Sequence, residues 1–222
     1  MGSGLRLDRF FRQGEVRRFF RYVKGVDSRY FHLFLLMAFG GLRVGEACRV
    51  NVADFLGQDF CRLSVVNSKT ANRSKGLPAR VETIVLPVWL GRMVRRYVTG
   101  YGGKFKHGFL FFPDGHGSRN FCVGPHAVRM FLVREREVLG GGFVEPILKY
   151  RRGGGWVVHY RLSTHSFRRW FGTQVYRITG NDLKAASVFL RHRDVETTQV
   201  YVDGFAYHSR IAGVMAKLPK LL

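Results

Sequence analysis

The stretch Leu33-Phe-Leu-Leu-Met-Ala-Phe39 carries no polar side chain on any face. A helix with that pattern has no side to give to water, so it must lie inside, with the rest of the chain wrapped around it. Asp27 or Ser28 supplies the N-cap, which predicts a helix over residues 27–39. Gly40-Gly41 then stops it, and a glycine pair lets the backbone turn tightly and approach a ligand. The apolar run from Phe31 to Gly41 includes a histidine and is too short to span a bilayer, which takes about 18 residues or more. No secretory signal pattern is present, and a membrane partner is not expected.

With 222 residues, 46% of them hydrophobic and 20 of them Phe, the chain can bury one substantial core. Its charge is lopsided: 37 Lys+Arg against 15 Asp+Glu, a formal net charge of +22, with the cations spread along the chain. That balance points to a polyanion as partner. Cys48, Cys61 and Cys122 are few, odd in number and widely spaced. They argue against a disulfide framework or a zinc site and fit a reducing compartment, cytoplasmic or nucleoid-associated.

Residues 8–24 space Phe10, Phe11, Val16, Phe19, Phe20 and Val23 as an amphipathic helix. Arg43 follows the glycine pair, and Val44 opens another helix with Glu46 placed either to hold the Arg43 guanidinium or to form a simple surface pair. Residues 60–87 read as two strands around a polar, basic tip that carries Lys69 and Lys75. Residues 88–101 form a basic helix (Arg92, Arg95, Arg96), and Phe109 to Pro113 a short apolar strand and turn. Pro125 to Leu139 is a helix with Val128, Phe131, Leu132 and Val138 as its inner face. Residues 140–162 read as a β-hairpin with a glycine turn, with Lys149, Arg151 and Arg152 clustered on its first arm. Leu183 to Leu190 is a helix capped by Asn181 or Asp182, ending at Arg191-His192.

The chemistry gathers near the C-terminus. His165 and Arg168, three apart, share a helix face. His192 precedes Tyr201 by nine residues in Leu190-Arg-His-Arg-Asp-Val-Glu-Thr-Thr-Gln-Val-Tyr201. Arginine stays charged and offers a planar fork to phosphate oxygens, histidine exchanges protons near neutral pH, and a phenol needs such help to act as a nucleophile. Together they suit the capture of a phosphodiester while tyrosine attacks it. Taken singly, Arg43 also reads as a solvated charge after a helix cap, and Tyr201 as an ordinary helix residue.

In order along the chain, Gly41-Leu-Arg43, Lys69 in a β-hairpin, His165-x-x-Arg168, His192 and Tyr201 resemble the catalytic domain of the tyrosine recombinases (phage integrase family). The resemblance spans roughly residues 8–210. It implies an α+β, mainly α-helical fold with a small antiparallel β-sheet. It also implies double-stranded DNA as partner, a homo-oligomer (tetramer) on that DNA, and strand cleavage with no metal or nucleotide cofactor. By the same resemblance Tyr201 is the nucleophile, Arg43 and Arg168 neutralise the phosphate, His165 accepts a proton, His192 donates a hydrogen bond, and Lys69 is the general acid, with Lys75 as competitor. Lys75, Arg95, Lys149, Arg151 and Arg152 are expected DNA contacts. Residues 1–7, opening Met1-Gly-Ser-Gly, read as a linker or expression remnant, and 8–222 as the catalytic domain, its N-terminal DNA-clamping domain cut away or absent. The pattern departs from the family at Arg191, where relatives have Gly, and at Asp203, where they often have His. A type IB topoisomerase, a catalytically impaired DNA-binding protein and a metal-dependent nuclease stay open as alternatives.

Overall fold

The computed structural model describes residues 11–67, 79–100, 108–111, 122–144, 146–152, 155–180, 182–191, 215 and 217–218. Helices α1 (Gln13–Val26), α2 (Ser28–Phe39) and the short α3 (Val44–Cys48) lead into an antiparallel hairpin of β1 (Arg62–Asn67) and β2 (Arg80–Val85). Then come α4 (Val88–Gly100), α5 (Pro125–Leu139), a second antiparallel pair of β3 (Pro146–Arg152) and β4 (Gly155–Tyr160), and helices α6 (Thr164–Ile178) and α7 (Leu183–Leu190).

Helix α2 is the axis of the core. Every residue from Phe31 to Phe39 is buried, as its unbroken apolar pattern requires. Asp27 starts it by accepting hydrogen bonds from the backbone N–H groups of Arg29 and Tyr30. Helices α1 and α6 lay their aromatic faces on it. Phe167 of α6 sits 5.0 Å from Phe19, 6.2 Å from Phe20 and 4.8 Å from Phe34. Trp170 meets Phe39 edge-on at 5.1 Å. Such pairs add about 0.5–1.5 kcal/mol each beyond the area they bury, so α6 is held firmly against α2.

His32 is structural. It stacks on Tyr97 of α4 at 4.2 Å, its Nδ1 lies 2.6 Å from the Ser28 carbonyl oxygen, and burial holds its pKa below the usual value.

The helix over 125–139 has the expected ends, with Pro125 in its first turn and Gly140 at its C-cap. One inner-face residue was misassigned: Val138 is 64% exposed. Val128, Phe131, Leu132, Glu135 and Leu139 share the buried face at helical spacing, and Val138, seven residues after Phe131, lies at the edge of that face and is left exposed. The expected strand at 109–113 is only a single bridge, Phe109 with Asn51, within the described residues. In the first hairpin Leu63 pairs with Ile84 and Val65 with Glu82, which puts Glu82 on the same face as buried Ile84. Near the C-terminus, Met215 and Leu218 are buried in this chain's own core.

Candidate active site

Three segments distant in sequence meet at the C-terminal end of α2. The first is the turn that follows it. Gly41 has φ +65°, and a Cβ there would lie 2.5 Å from Cε1 of the buried Phe171 ring, so both the backbone and the space call for glycine. The turn delivers Arg43 to the start of α3. There the Arg43 N–H donates to Glu46 Oε2 at 2.8 Å, and its Nη1 donates to Glu46 Oε1 at 2.7 Å. Of the two readings of Glu46, the structure selects the guanidinium holder: its side chain is 4% exposed, that of Arg43 20%.

The second segment is α6. Arg168 lies one turn beyond His165 and is buried between Phe167 and Trp170 in sequence, while His165 is exposed on the first turn. Arg168 Nη1 donates to the Gly41 carbonyl, and Nη2 to the Leu190 carbonyl. The third is the end of α7, packed so closely on α6 that a Cβ on Gly172 would come 2.7 Å from Leu190 Cδ1. Its last carbonyls point at the cations: Leu190 accepts from Arg168, and Arg191 accepts from Arg43 Nη2 at 3.3 Å. Guanidinium groups at a helix C-terminus sit at the negative end of its dipole.

Arg191 joins them. It adopts the left-handed conformation (φ 54°, ψ 46°) that glycine takes without strain, and its side chain turns inward. Nη2 donates to Glu46 Oε2 at 2.7 Å and to the Gly41 carbonyl at 3.4 Å, and Nη1 lies 3.8 Å from Glu82 Oε2 on β2. Three guanidiniums thus crowd two carboxylates. Burial, followed by repulsion from Arg43 and Arg191, pushes the Arg168 pKa down to about 9. Burial would raise the Glu46 pKa, but Arg191 and the Arg43 hydrogen bonds outweigh it, and the net shift is downward. The site is a cluster of three guanidiniums around two carboxylates, in which Arg43 is the most accessible and Arg168 and Arg191 are more deeply buried. Such a cluster attracts an anion with several oxygens.

No family model matches the chain. It is similar to the tyrosine recombinase XerA of Thermococcus onnurineus, 24% identical over 204 residues that make up 92% of this chain and 61% of that protein. The crystal structure of XerA recombinase superposes with a TM-score of 0.56 at 17% identity, covering 92% of this chain and 64% of that one. The integrase from mycobacterium phage Brujita gives 0.60 at 18% identity over 99% of this chain and 60% of its own. The Tn1549 transposon integrase in complex with circular intermediate DNA gives 0.58 at 15% identity over 96% and 66%. This chain has the tyrosine-recombinase fold. It spans less than two thirds of the length of each of these relatives.

Within the tyrosine-recombinase fold, Arg43 and Arg168 are brought together at the end of α7, and His165 stands one helical turn from Arg168. Lys69, Lys75, His192 and Tyr201 lie outside the described residues, though His192 directly follows Arg191. Arg95 is exposed on α4. Lys149, Arg151 and Arg152 lie on β3, paired with Val158, Trp156 and Gly155 of β4; their side chains are outside the described set. Sequence reasoning missed Glu82 and Arg191 as members of the cluster. Strand alternation with Ile84 was an available signal for Glu82, and a cation in place of the recombinases' glycine was one for Arg191.

Proposed function

We propose that this chain is the catalytic part of a site-specific DNA recombinase of the integrase type, cleaving and rejoining strands through a 3′-phosphotyrosine. The supporting observation is the convergence of Arg43 and Arg168 on the Gly41 turn and the end of α7, immediately before His192, in the tyrosine-recombinase fold. The substrate is double-stranded DNA, in keeping with the net charge of +22, and the working form is a homo-oligomer, a tetramer, on that DNA.

In this reading Tyr201 Oη attacks the scissile phosphorus. An O–P bond forms to tyrosine as the bond to the 5′-oxygen breaks. His165 takes the phenol proton, and Lys69 gives a proton to the departing 5′-oxygen, a general-acid contribution of roughly 10²–10⁴ in rate. Arg43 and Arg168 bind the non-bridging oxygens as charge grows, each worth about 10²–10³ in rate when preorganised. Here the preorganisation comes from Glu46 for Arg43 and from two backbone carbonyls for Arg168. His192 donates a further hydrogen bond. The phosphotyrosine keeps the energy of the broken ester, so a 5′-hydroxyl from another strand reverses the step without ATP. Lys75, Arg95, Lys149, Arg151 and Arg152 hold the DNA backbone. Residues 8–222 form the catalytic domain.

The test is covalent trapping. The protein and Tyr201→Phe are incubated with supercoiled plasmid and with a nicked duplex in EDTA and stopped with detergent. A protein–DNA adduct at the 3′ end that vanishes in Tyr201→Phe is expected, along with strand-exchanged products from paired substrates. Absence of an adduct with the protein's own flanking DNA refutes the enzymatic reading, and relaxed plasmid without exchanged products refutes recombination.

A further inference from the structure

Arg191 occupies a position where glycine would be free of strain. A residue with a Cβ is held in the left-handed region only where its surroundings fix it. Here the guanidinium does the fixing. An arginine at a helix end would ordinarily extend into water, but this side chain is 9% exposed, and its Nε and Nη1 are buried with no hydrogen-bond partner among the described residues. It shares an acceptor with each neighbouring cation: Glu46 Oε2 with the Arg43 backbone N–H, and the Gly41 carbonyl with Arg168 Nη1. It also reaches Glu82 on β2 of the first hairpin. Arg191 therefore touches the holders of Arg43 and Arg168 rather than the space in front of them, where Arg43 is the more exposed group.

We propose that Arg191 is a positioning residue for the phosphodiester site. Its guanidinium fixes Glu46 and the Gly41 carbonyl so that Arg43 and Arg168 face one phosphate, and it ties them to the β1–β2 hairpin through Glu82. The proposal rests on the recombinase reading for its substrate. Without the guanidinium, Glu46 Oε2 loses the Arg191 donor and keeps the Arg43 backbone N–H, so the carboxylate that holds the Arg43 guanidinium is less firmly fixed. A displacement of about 1 Å at a reacting centre costs up to about 100-fold in rate.

Arg191→Gly separates backbone from side chain, because it removes the guanidinium while relieving the left-handed strain. In single-turnover cleavage of a nicked duplex, Arg191→Gly is expected to be about 10- to 100-fold slower than the wild type with duplex affinity changed by less than about threefold. Arg191→Lys should recover part of the loss. A methylphosphonate at the scissile position removes the charge that the arginines neutralise, so there the gap should shrink to within about threefold. Cleavage by Arg191→Gly at the wild-type rate overturns the proposal, as does an undiminished gap on methylphosphonate. A parallel loss of affinity also overturns it, since Arg191 would then be a DNA contact.

The network itself is tested without DNA by thermal unfolding. Arg191→Gly should lower Tm by about 2 °C or more beyond its effect in a Glu46→Gln background, the strain relief cancelling between the two. Additive effects overturn the proposal. If the wild type forms no adduct while the coupling is present, the recombinase reading fails and the positioning network stands.

Discussion

Gly41→Ala is the sharpest test of how the site is built. Two costs coincide at that position. The backbone sits at φ +65°, where an added Cβ costs about 1–2 kcal/mol. The new methyl would also lie 2.5 and 2.6 Å from Cε1 and Cδ1 of Phe171, which is fully buried. Overpacking of that kind costs about 1–3 kcal/mol. The sum is roughly 3 kcal/mol, which for a domain of this size lowers Tm by about 6–12 °C. Because the Gly41 carbonyl accepts from both Arg168 and Arg191, any relief by backbone movement also displaces the arginines. Thermal unfolding followed by circular dichroism measures the first effect, and adduct formation the second. Gly25→Ala is the control: it lies in the last turn of α1 with nothing within 4 Å of its would-be Cβ. There the change should be neutral or stabilising by up to about 1 kcal/mol. A Gly41→Ala protein within about 2 °C of the wild type, or a Gly25→Ala protein equally damaged, would show that the turn is not constrained as described.

Phe167→Ala should cost about 3–5 kcal/mol, read as a lower urea midpoint at unchanged slope, because the ring touches Phe11, Phe19, Phe20 and Phe34 at once; a cost under about 1 kcal/mol would contradict the packing. Glu46 is held below its ordinary pKa in the fold, so its contribution is complete above the unfolded carboxylate pKa, about 4.3, and disappears as pH falls through the lower folded value. The Tm gap between the wild type and Glu46→Gln should therefore be constant from neutral pH to about 5 and close on further acidification; a gap that widens in acid would reverse the assignment. Replacing Lys149, Arg151 and Arg152 with Ala should weaken duplex binding and flatten the dependence of log affinity on log salt by about 0.9 for each phosphate no longer neutralised. An unchanged slope would remove the β3–β4 hairpin from the interface.

The parts of this fold that the sequence disclosed are those whose physics is local. An unbroken apolar run must be buried, and a capping residue ahead of it with a glycine pair behind it makes it a helix, so α2 was legible, with its cap narrowed to Asp27 or Ser28 and found to be Asp27. Pro125 and Gly140 mark their helix ends by backbone chemistry alone, and α5 runs between them. Val138 has nearly the helical phase of buried Phe131, seven residues before it, yet it is exposed: spacing gives the direction of a side chain, and only the elements packed against the helix decide how wide its buried stripe is.

Arg191 marks the boundary of that kind of reading. Its partners Gly41 and Glu46 are 150 and 145 residues away in the chain. Nothing in the residues next to Arg191 announces that its side chain turns inward. Locally the opposite is expected, since a cation in a left-handed position at a helix end belongs in water. Only the assembled site reverses this preference, because it holds a carboxylate that Arg43 alone does not saturate and a carbonyl that Arg168 alone does not exhaust. The arginine that stands where the recombinases have glycine thus compensates within the same cluster: the strain at Arg191 is offset by its hold on the groups that orient Arg43 and Arg168. The left-handed conformation itself is kept at Arg191, the one that a glycine would have supplied at the end of α7.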